Sequence, residues 1–414
     1  MKRYGNLWKR VVSWENLLLA VRKARRGKRD RAAVQRFEFD MEEHLLSLQR
    51  ELVGGTYNPG GFTTHWITRP KSRMISAAPY RDRVVHHALM NVLEPILERH
   101  FHSHSYACRR GKGTHAAADR VQLLLGRYCH FIQFDIRKFF PSIDHQILKA
   151  LFRRLIKDRR VLWLMDLIVD NSNEQEPMPE YFPGDDLFTP HQRRRGLPIG
   201  NLTSQWFANW YLTGLDHCIT SRPGLGGYVR YCDDFIICHH DRDALLEAAA
   251  SVRSYLAGLR LRLHSGKLQV KPSWRGLTFV GYRIWASHRL VRKSNVREFR
   301  RRVRWMRRAY AAGIIDWNDI KPRLASWIGH ARQADSERLL RRLCREWKFM
   351  RDRATNVPCS ARRQLEQQRE QLPVRQPQQE HARQPEQQHR LPCCRALFGG
   401  SLPSRPESCR LRAA

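Results

Sequence analysis

The segment Tyr228-Val-Arg-Tyr-Cys-Asp-Asp-Phe-Ile-Ile-Cys238 sets the frame for reading this chain. Apolar residues lie on both sides of a short acidic centre, Cys232-Asp233-Asp234. That pattern predicts two short strands around a tight turn. A second strand is legible upstream, over residues 130–136. There Ile132, Phe134 and Ile136 share one face, and Gln133 and Asp135 share the other. Strict alternation of this kind is the mark of a half-buried strand. Asp135 thus ends a strand on its polar side, and Asp233 and Asp234 occupy a hairpin turn. An Asp-Asp pair in a turn is ordinary turn chemistry on its own. Carboxylates at the ends of separate strands are also what a divalent-metal centre needs, since magnesium takes a few carboxylates together with phosphate oxygens.

Working outward, residues 13–53 read as helical. Trp14, Leu17, Leu18 and Val21 form one apolar face, Phe37, Met41, Leu45, Leu48 and Leu52 a later one, and Gly54-Gly55 ends the run. Residues 56–80 look extended, and a helix is predicted from about Asp82 to Phe101. Further helices are predicted with Ile147, Leu148, Leu151, Phe152 and Leu155 on one face, over 201–219 and over 244–260. A loop-like stretch covers 171–195, and a strand pair covers 277–291. Residues 295–350 are Arg-rich and helical, with Trp305, Trp317, Trp327 and Trp347. Beyond about Ala354 apolar periodicity is lost. Residues 361–390 hold ten glutamines among Arg, Glu and Pro, a composition that cannot bury a core and predicts disorder.

Lys and Arg number 75 against 39 Asp and Glu, for a formal net charge of +36. A polyanion is the partner such an excess suits, and nucleic acid is the commonest one. Charge alone fits a binder without chemistry as well as an enzyme. No apolar run reaches the roughly 18–20 residues that span a bilayer. No secretory signal follows the basic start, and the ten cysteines form no C-x-x-C pair. Free thiols in a reducing, cytoplasmic setting are therefore expected, without a zinc site.

Tyr231-Cys-Asp-Asp234 following Phe134-Asp135 resembles the reverse transcriptase family, whose palm carries a Tyr-x-Asp-Asp hairpin. The resemblance runs from about Thr68 to Trp347. It implies an α+β right-hand polymerase with fingers, an antiparallel palm sheet and a helical thumb. The expected division is a helical extension over 1–54, fingers and palm over 55–290, thumb over 291–350 and a disordered tail over 351–414. It also implies two Mg2+ ions, replaceable by Mn2+, at Asp135, Ile136, Asp233 and Asp234, with template RNA, primer or cDNA and dNTPs as partners and no membrane.

Other segments match the family's motifs in order. Asp135-Ile-Arg-Lys-Phe-Phe140 is similar to the first metal motif and makes Phe140 the candidate steric gate beneath the sugar, with Phe139 beside it as an alternative or a core ring. Gly196-Leu-Pro-Ile-Gly-Asn-Leu-Thr-Ser-Gln205 is similar to the nucleotide-positioning motif, which brings in Ile199, Gly200 and Gln205. Leu263-His-Ser-Gly-Lys267 resembles the motif whose lysine lies near the triphosphate. Lys267 is thus either a general acid or a solvated lysine. Leu277-Thr-Phe-Val-Gly-Tyr282 resembles the primer grip, with Phe279, Gly281 and Tyr282. Arg69, Lys71 and Arg73 resemble the basic residues that hold the triphosphate, and Arg73 suits phosphate best. Seven arginines between Arg297 and Arg308 imply phosphate contact along a thumb helix.

Ile199 stands where retroviral and intron enzymes carry Gln, and the motif ends Ser204-Gln205. That combination resembles the reverse transcriptases of diversity-generating retroelements. It implies error-prone copying at template adenines and a basic accessory protein. Leu290–Arg297 lacks the Val-Thr-Gly feature of retron enzymes, and no maturase or endonuclease domain of intron type is expected. The alternatives are a defence-associated or retron-like enzyme and an inactive RNA-binding protein of polymerase fold.

Overall fold

The computed structural model describes residues 3–67, 72–172, 180–222, 224–264, 266, 268–347 and 349–350. The tail expected to be disordered lies outside them, as do Arg69, Lys71 and Lys267. The described chain mixes helices with three antiparallel sheets. Strand β1 (Thr63–Ile67) pairs with β2 (Arg73–Ala77). A central sheet runs in the order β4-β5-β3-β6, with β3 at His130–Asp135, β4 at Gly227–Tyr231, β5 at Asp234–His239 and β6 at Val270–Pro272. The third sheet holds β7 (Leu277–Phe279), β8 (Tyr282–Ile284) and β9 (Arg289–Val291). The expected strand pair is therefore a three-stranded meander.

The central sheet is covered on both faces. Ile132, Phe134, Phe235 and Ile237 join the larger hydrophobic core. Phe134 and Phe235 stack there with centroids 4.6 Å apart. Phe131, Val229, Ile236 and Cys238 join a second core beneath the helix Thr114–Arg127. The polar side of β3 is thus sealed at Phe131 and opens toward Asp135, which is half-buried. Alternation alone does not reveal this, because Phe131 interrupts the polar face only once.

After a short helix at Trp8–Val11, the N-terminal region read as helical forms three helices, Trp14–Ala24, Ala32–Phe39 and Met41–Gly54. Gly55 closes the last with φ of 72°, a left-handed C-cap that glycine takes without steric cost. The helix Tyr80–Glu98 packs on the first of these and buries Val84, Val85, Leu89 and Leu93. The Arg-rich region forms the helices Lys293–Ala311, Trp317–Arg332 and Glu337–Glu346. Phe299 and Trp327 stack at 4.0 Å between the first two. Among the described residues, no helix is long and apolar enough to cross a membrane.

Candidate active site

The β3–β5 register makes Asp135 and Asp234 direct cross-strand partners. Paired residues project to the same face of a sheet. The turn between β4 and β5 consists of Cys232 and Asp233, and Cys232 has φ of 59°. The Asp233 carbonyl accepts from Ile136 N–H at 3.3 Å, so the turn is fastened to the end of β3. His264 N–H donates to the Asp135 carbonyl at 2.8 Å and Arg137 N–H to the Arg262 carbonyl at 2.8 Å, fastening the other side. Residues 98 positions apart in the chain thereby meet at one edge.

Burial pushes the Asp233 carboxyl above the usual carboxylate range, the neighbouring Asp135 pushes it further, and the Arg73 guanidinium partly offsets this. Two carboxylates held together out of water repel each other and favour a cation between them. Asp234 is oriented differently. Its oxygens accept from Gln133 Nε2 at 2.9 and 3.2 Å, and the same nitrogen reaches the Thr278 carbonyl at 3.2 Å. Gln133 therefore ties the central sheet to β7 and holds the Asp234 carboxylate as it does so. Among the described residues, no group of three or more His, Cys, Asp or Glu side chains is arranged to hold a metal. Asp135 and Asp233 are close enough for the charge of one to act on the other. One or two carboxylates are what magnesium ordinarily takes from a protein, water and phosphate supplying the rest. The donor set fits that ion rather than one needing an all-protein cage.

The hairpin has a support that the sequence reading missed. Arg230 is fully buried in β4. Its Nε and Nη2 donate to both oxygens of buried Asp216 at 2.6 Å each. Its Nη1 donates to Asn209 Oδ1 and to the Cys232 carbonyl, each at 3.1 Å. Tyr228 OH also donates to Asp216, at 2.5 Å. A guanidinium fork satisfied this fully is rigid, and one of its prongs holds the turn that carries Asp233. The signal was present in the sequence, as a single Arg inside the apolar run Gly-Tyr-Val-Arg-Tyr, where a charge needs a partner.

The loop 196–201 approaches from the β1–β2 side. Its Ile199 carbonyl accepts from Ser76 N–H at 3.0 Å. The Asn201 side chain accepts from Ala78 N–H and donates to the Ser76 carbonyl. Gly200 has φ of 120°, and a Cβ there would lie 3.0 Å from Ile75 Cγ2, so glycine permits this close seam. Leu197 N–H donates to the Phe140 carbonyl at 2.9 Å. Arg73 at the start of β2, Ile199 and Phe140 are thus carried by segments joined to one another and to the Asp135–Asp233 edge. Phe140 is half-buried, whereas Phe139 is only 2% exposed and faces the core, a position that offers a ligand no surface. Gln205 is half-buried on the helix Leu202–Tyr211.

The β7–β8 hairpin presents backbone rather than rings. Phe279 and Tyr282 are buried, and Tyr282 OH lies 2.8 Å from His330 Nδ1. The turn itself, Val280-Gly281, has φ of 40° and 92°. Beyond it, the helix Lys293–Ala311 buries Phe299, Val303 and Met306 on one side. Arg297, Arg301, Arg304 and Arg308 are exposed along the other, at helical spacing. These four form no ion pair among the described residues, whereas Arg300 and Arg302 pair with Glu346 and Glu298.

Residues 65–284 match the family described as Reverse transcriptase (RNA-dependent DNA polymerase). Protein YkfC of Escherichia coli is 26% identical over 291 residues, which cover 60% of this chain and 71% of that protein. Nuclear intron maturase 1 of Arabidopsis thaliana is 30% identical over 142 residues, 30% of this chain and 20% of that protein. The Group II intron-encoded protein LtrA of Lactococcus lactis is 26% identical over 178 residues, 42% of this chain and 28% of that protein. The chain therefore spans less than a third of either intron protein. The family match takes in more than half of the chain, from β1 through β8 and with every carboxylate of the edge described above, and the protein belongs to the reverse transcriptase family.

Proposed function

We propose that this protein is an RNA-directed DNA polymerase of right-hand build that copies a template RNA into cDNA. The observation that carries the reading is the proximity of Asp233 to Asp135 at the open end of an antiparallel sheet, where the Asp233 carbonyl takes the Ile136 N–H and Arg73 acts on the Asp233 carboxylate. In this reading residues 55–290 are fingers and palm, 291–350 the thumb, and 1–54 a helical extension of the fingers. Asp135 and Asp233 hold Mg2+, with Mn2+ as a substitute, and the main chain at Ile136 lies beside them. Such ions supply activation of the primer hydroxyl and neutralisation of phosphoryl charge.

The chain's own residues do the rest. Arg73 binds the triphosphate with its planar fork. Lys71 and Lys267 are assigned to the triphosphate and to protonation of the leaving group on the family resemblance alone. The Val280-Gly281 backbone steadies the primer end. The exposed arginine stripe from Arg297 to Arg308 follows the phosphate backbone of the primer–template duplex. Phe140 lies beneath the sugar and excludes a 2′-hydroxyl. On that assignment Phe140→Ala should admit ribonucleotides. Single-nucleotide incorporation of dNTP against NTP should show selectivity falling by about tenfold or more, a change of about 1.4 kcal/mol. Unchanged sugar preference in an active variant would make Phe140 a packing residue.

The finer reading is an error-prone enzyme of a diversity-generating retroelement, working with a basic accessory protein. It rests on Ile199. Isoleucine is stiff and has no polar side-chain atom, and its backbone carbonyl is already taken by Ser76 N–H. The nucleotide is then held with one directional contact fewer than a glutamine gives. One such contact is worth about 0.5–1.5 kcal/mol, so Ile199→Gln should lower misincorporation by up to about tenfold, most of all opposite template adenine. Deep sequencing of cDNA from both enzymes on one RNA template measures this. Equal error spectra from two active enzymes would remove the role given to Ile199.

A further inference from the structure

Opposite the carboxylate edge, the central sheet ends in a strip where cations lie over aromatic rings. Cys129 precedes β3 and Asp135 ends it. Six residues of strand separate the two ends by about 20 Å. Ser273 N–H donates to the Cys129 carbonyl at 2.8 Å, which brings the short turn Ser273–Arg275 against Tyr128. Arg127 lies over the Tyr128 ring at 5.5 Å and Arg275 over Trp274 at 5.3 Å. Arg283 lies over Trp285 at 5.3 Å and donates to the Arg275 carbonyl, joining the second pair to the third. Trp285 is seated on Gly276, where a Cβ would come within 2.7 Å of the ring.

Trp274 is 74% exposed, and Arg127 and Arg275 are exposed beside it. A single exposed aromatic needs no explanation. Three adjacent guanidinium–ring pairs are a different matter, because Arg127, Arg275 and Arg283 have no acidic partner among the described residues. Trp274 offers an exposed ring, and the three guanidinium groups beside it are uncompensated positive charges. Bases stack on the first and phosphates are drawn to the second.

We propose that this strip binds single-stranded nucleic acid through base stacking on Trp274 and phosphate contacts with Arg275 and Arg127. It lies at the end of the β7–β8 hairpin away from Val280-Gly281, so the strand it holds is one that the duplex path does not occupy. The binding does not depend on polymerase activity.

The test uses the full chain preloaded with a blunt RNA–DNA duplex. Fluorescence anisotropy then reports binding of labelled oligo(rA) or oligo(dA). The doubly substituted Trp274→Ala/Arg275→Ala chain should bind these oligomers about tenfold more weakly. Trp274→Phe should stay within about twofold of wild type, while Trp274→Leu should behave like the alanine form. Extension of a primer without a single-stranded tail should be unchanged in all three. A loss confined to oligo(rA) assigns the strip to RNA, and an equal loss with oligo(dA) assigns it to single strands of either sugar. Unaltered oligomer affinity in the double variant, or full rescue by Trp274→Leu, would overturn the proposal. A failure of the polymerase reading would show separately, as an inactive wild-type chain that still loses oligomer affinity on Trp274→Ala/Arg275→Ala.

Discussion

Replacing Asp233 with alanine is expected to lower RNA-templated DNA synthesis by about a thousandfold or more, equivalent to about 4 kcal/mol of barrier. RNA affinity should stay within about twofold. The two effects separate because they belong to different parts of the protein. Asp233 sits in a partly buried turn beside Asp135, at the proposed place of the reacting groups. Affinity comes from distributed cations such as the exposed stripe Arg297, Arg301, Arg304 and Arg308, none of which the substitution touches. A filter-binding titration beside a primer-extension time course measures both.

The same carboxylate carries a stability signature. Its proton affinity in the folded chain is raised by burial and by Asp135. The folded state then holds more protons than the unfolded one between the ordinary aspartate pKa and the raised value. Stability therefore falls as pH rises through that window, and the cost persists at neutral pH. Asp233→Asn should raise the melting temperature in EDTA while abolishing synthesis, and Mg2+ should stabilise wild type more than the variant.

Arg230→Met is expected to destabilise the fold by about 3–5 kcal/mol, because it leaves Asp216 charged and fully buried without its fork. Adding Asp216→Asn should recover much of that loss. No charge then remains at this buried pair, and the asparagine oxygen can still accept from Tyr228 OH. The double variant separates stability from positioning. It folds, but the Cys232 carbonyl has lost the donor at 3.1 Å that fixes the turn. Synthesis should therefore remain about tenfold or more below wild type, since small displacements at a reacting centre are costly. Urea unfolding and extension rates on the three proteins measure this, and a double variant restored in both stability and rate would reduce Arg230 to a purely structural ion pair.

What could be read from the sequence follows from how local each feature is. The β3 strand was legible because Ile132, Phe134 and Ile136 alternate with polar residues, and the β4–β5 hairpin because its acidic turn interrupts two apolar runs. The end of the helix at Gly54-Gly55 was legible because glycine takes the left-handed C-cap without cost. Features set by distant partners were not. The second core over Phe131 depends on the helix Thr114–Arg127. The third strand of the β7–β9 meander is only three residues long, too short to show a period. Nothing in Asp233-Asp234 distinguishes the carboxylate in the turn from the one bonded to Gln133. The side chain in question lies 101 positions away in sequence. Phe139 and Phe140 are likewise adjacent in sequence, yet one is buried and the other half-buried, a distinction made by the helical turn Phe139–Ser142 rather than by residue type.

The measurement that bears most directly on the central claim is extension of a DNA primer on an RNA template by the wild-type chain across a Mg2+ titration. DNA complementary to the template, made from dNTPs, should appear only with divalent metal and be lost in EDTA or on Asp135→Ala. A folded chain that binds the primer–template yet incorporates nothing at any Mg2+ or Mn2+ concentration would contradict it, and would make this protein an RNA-binding member of the family without polymerase chemistry.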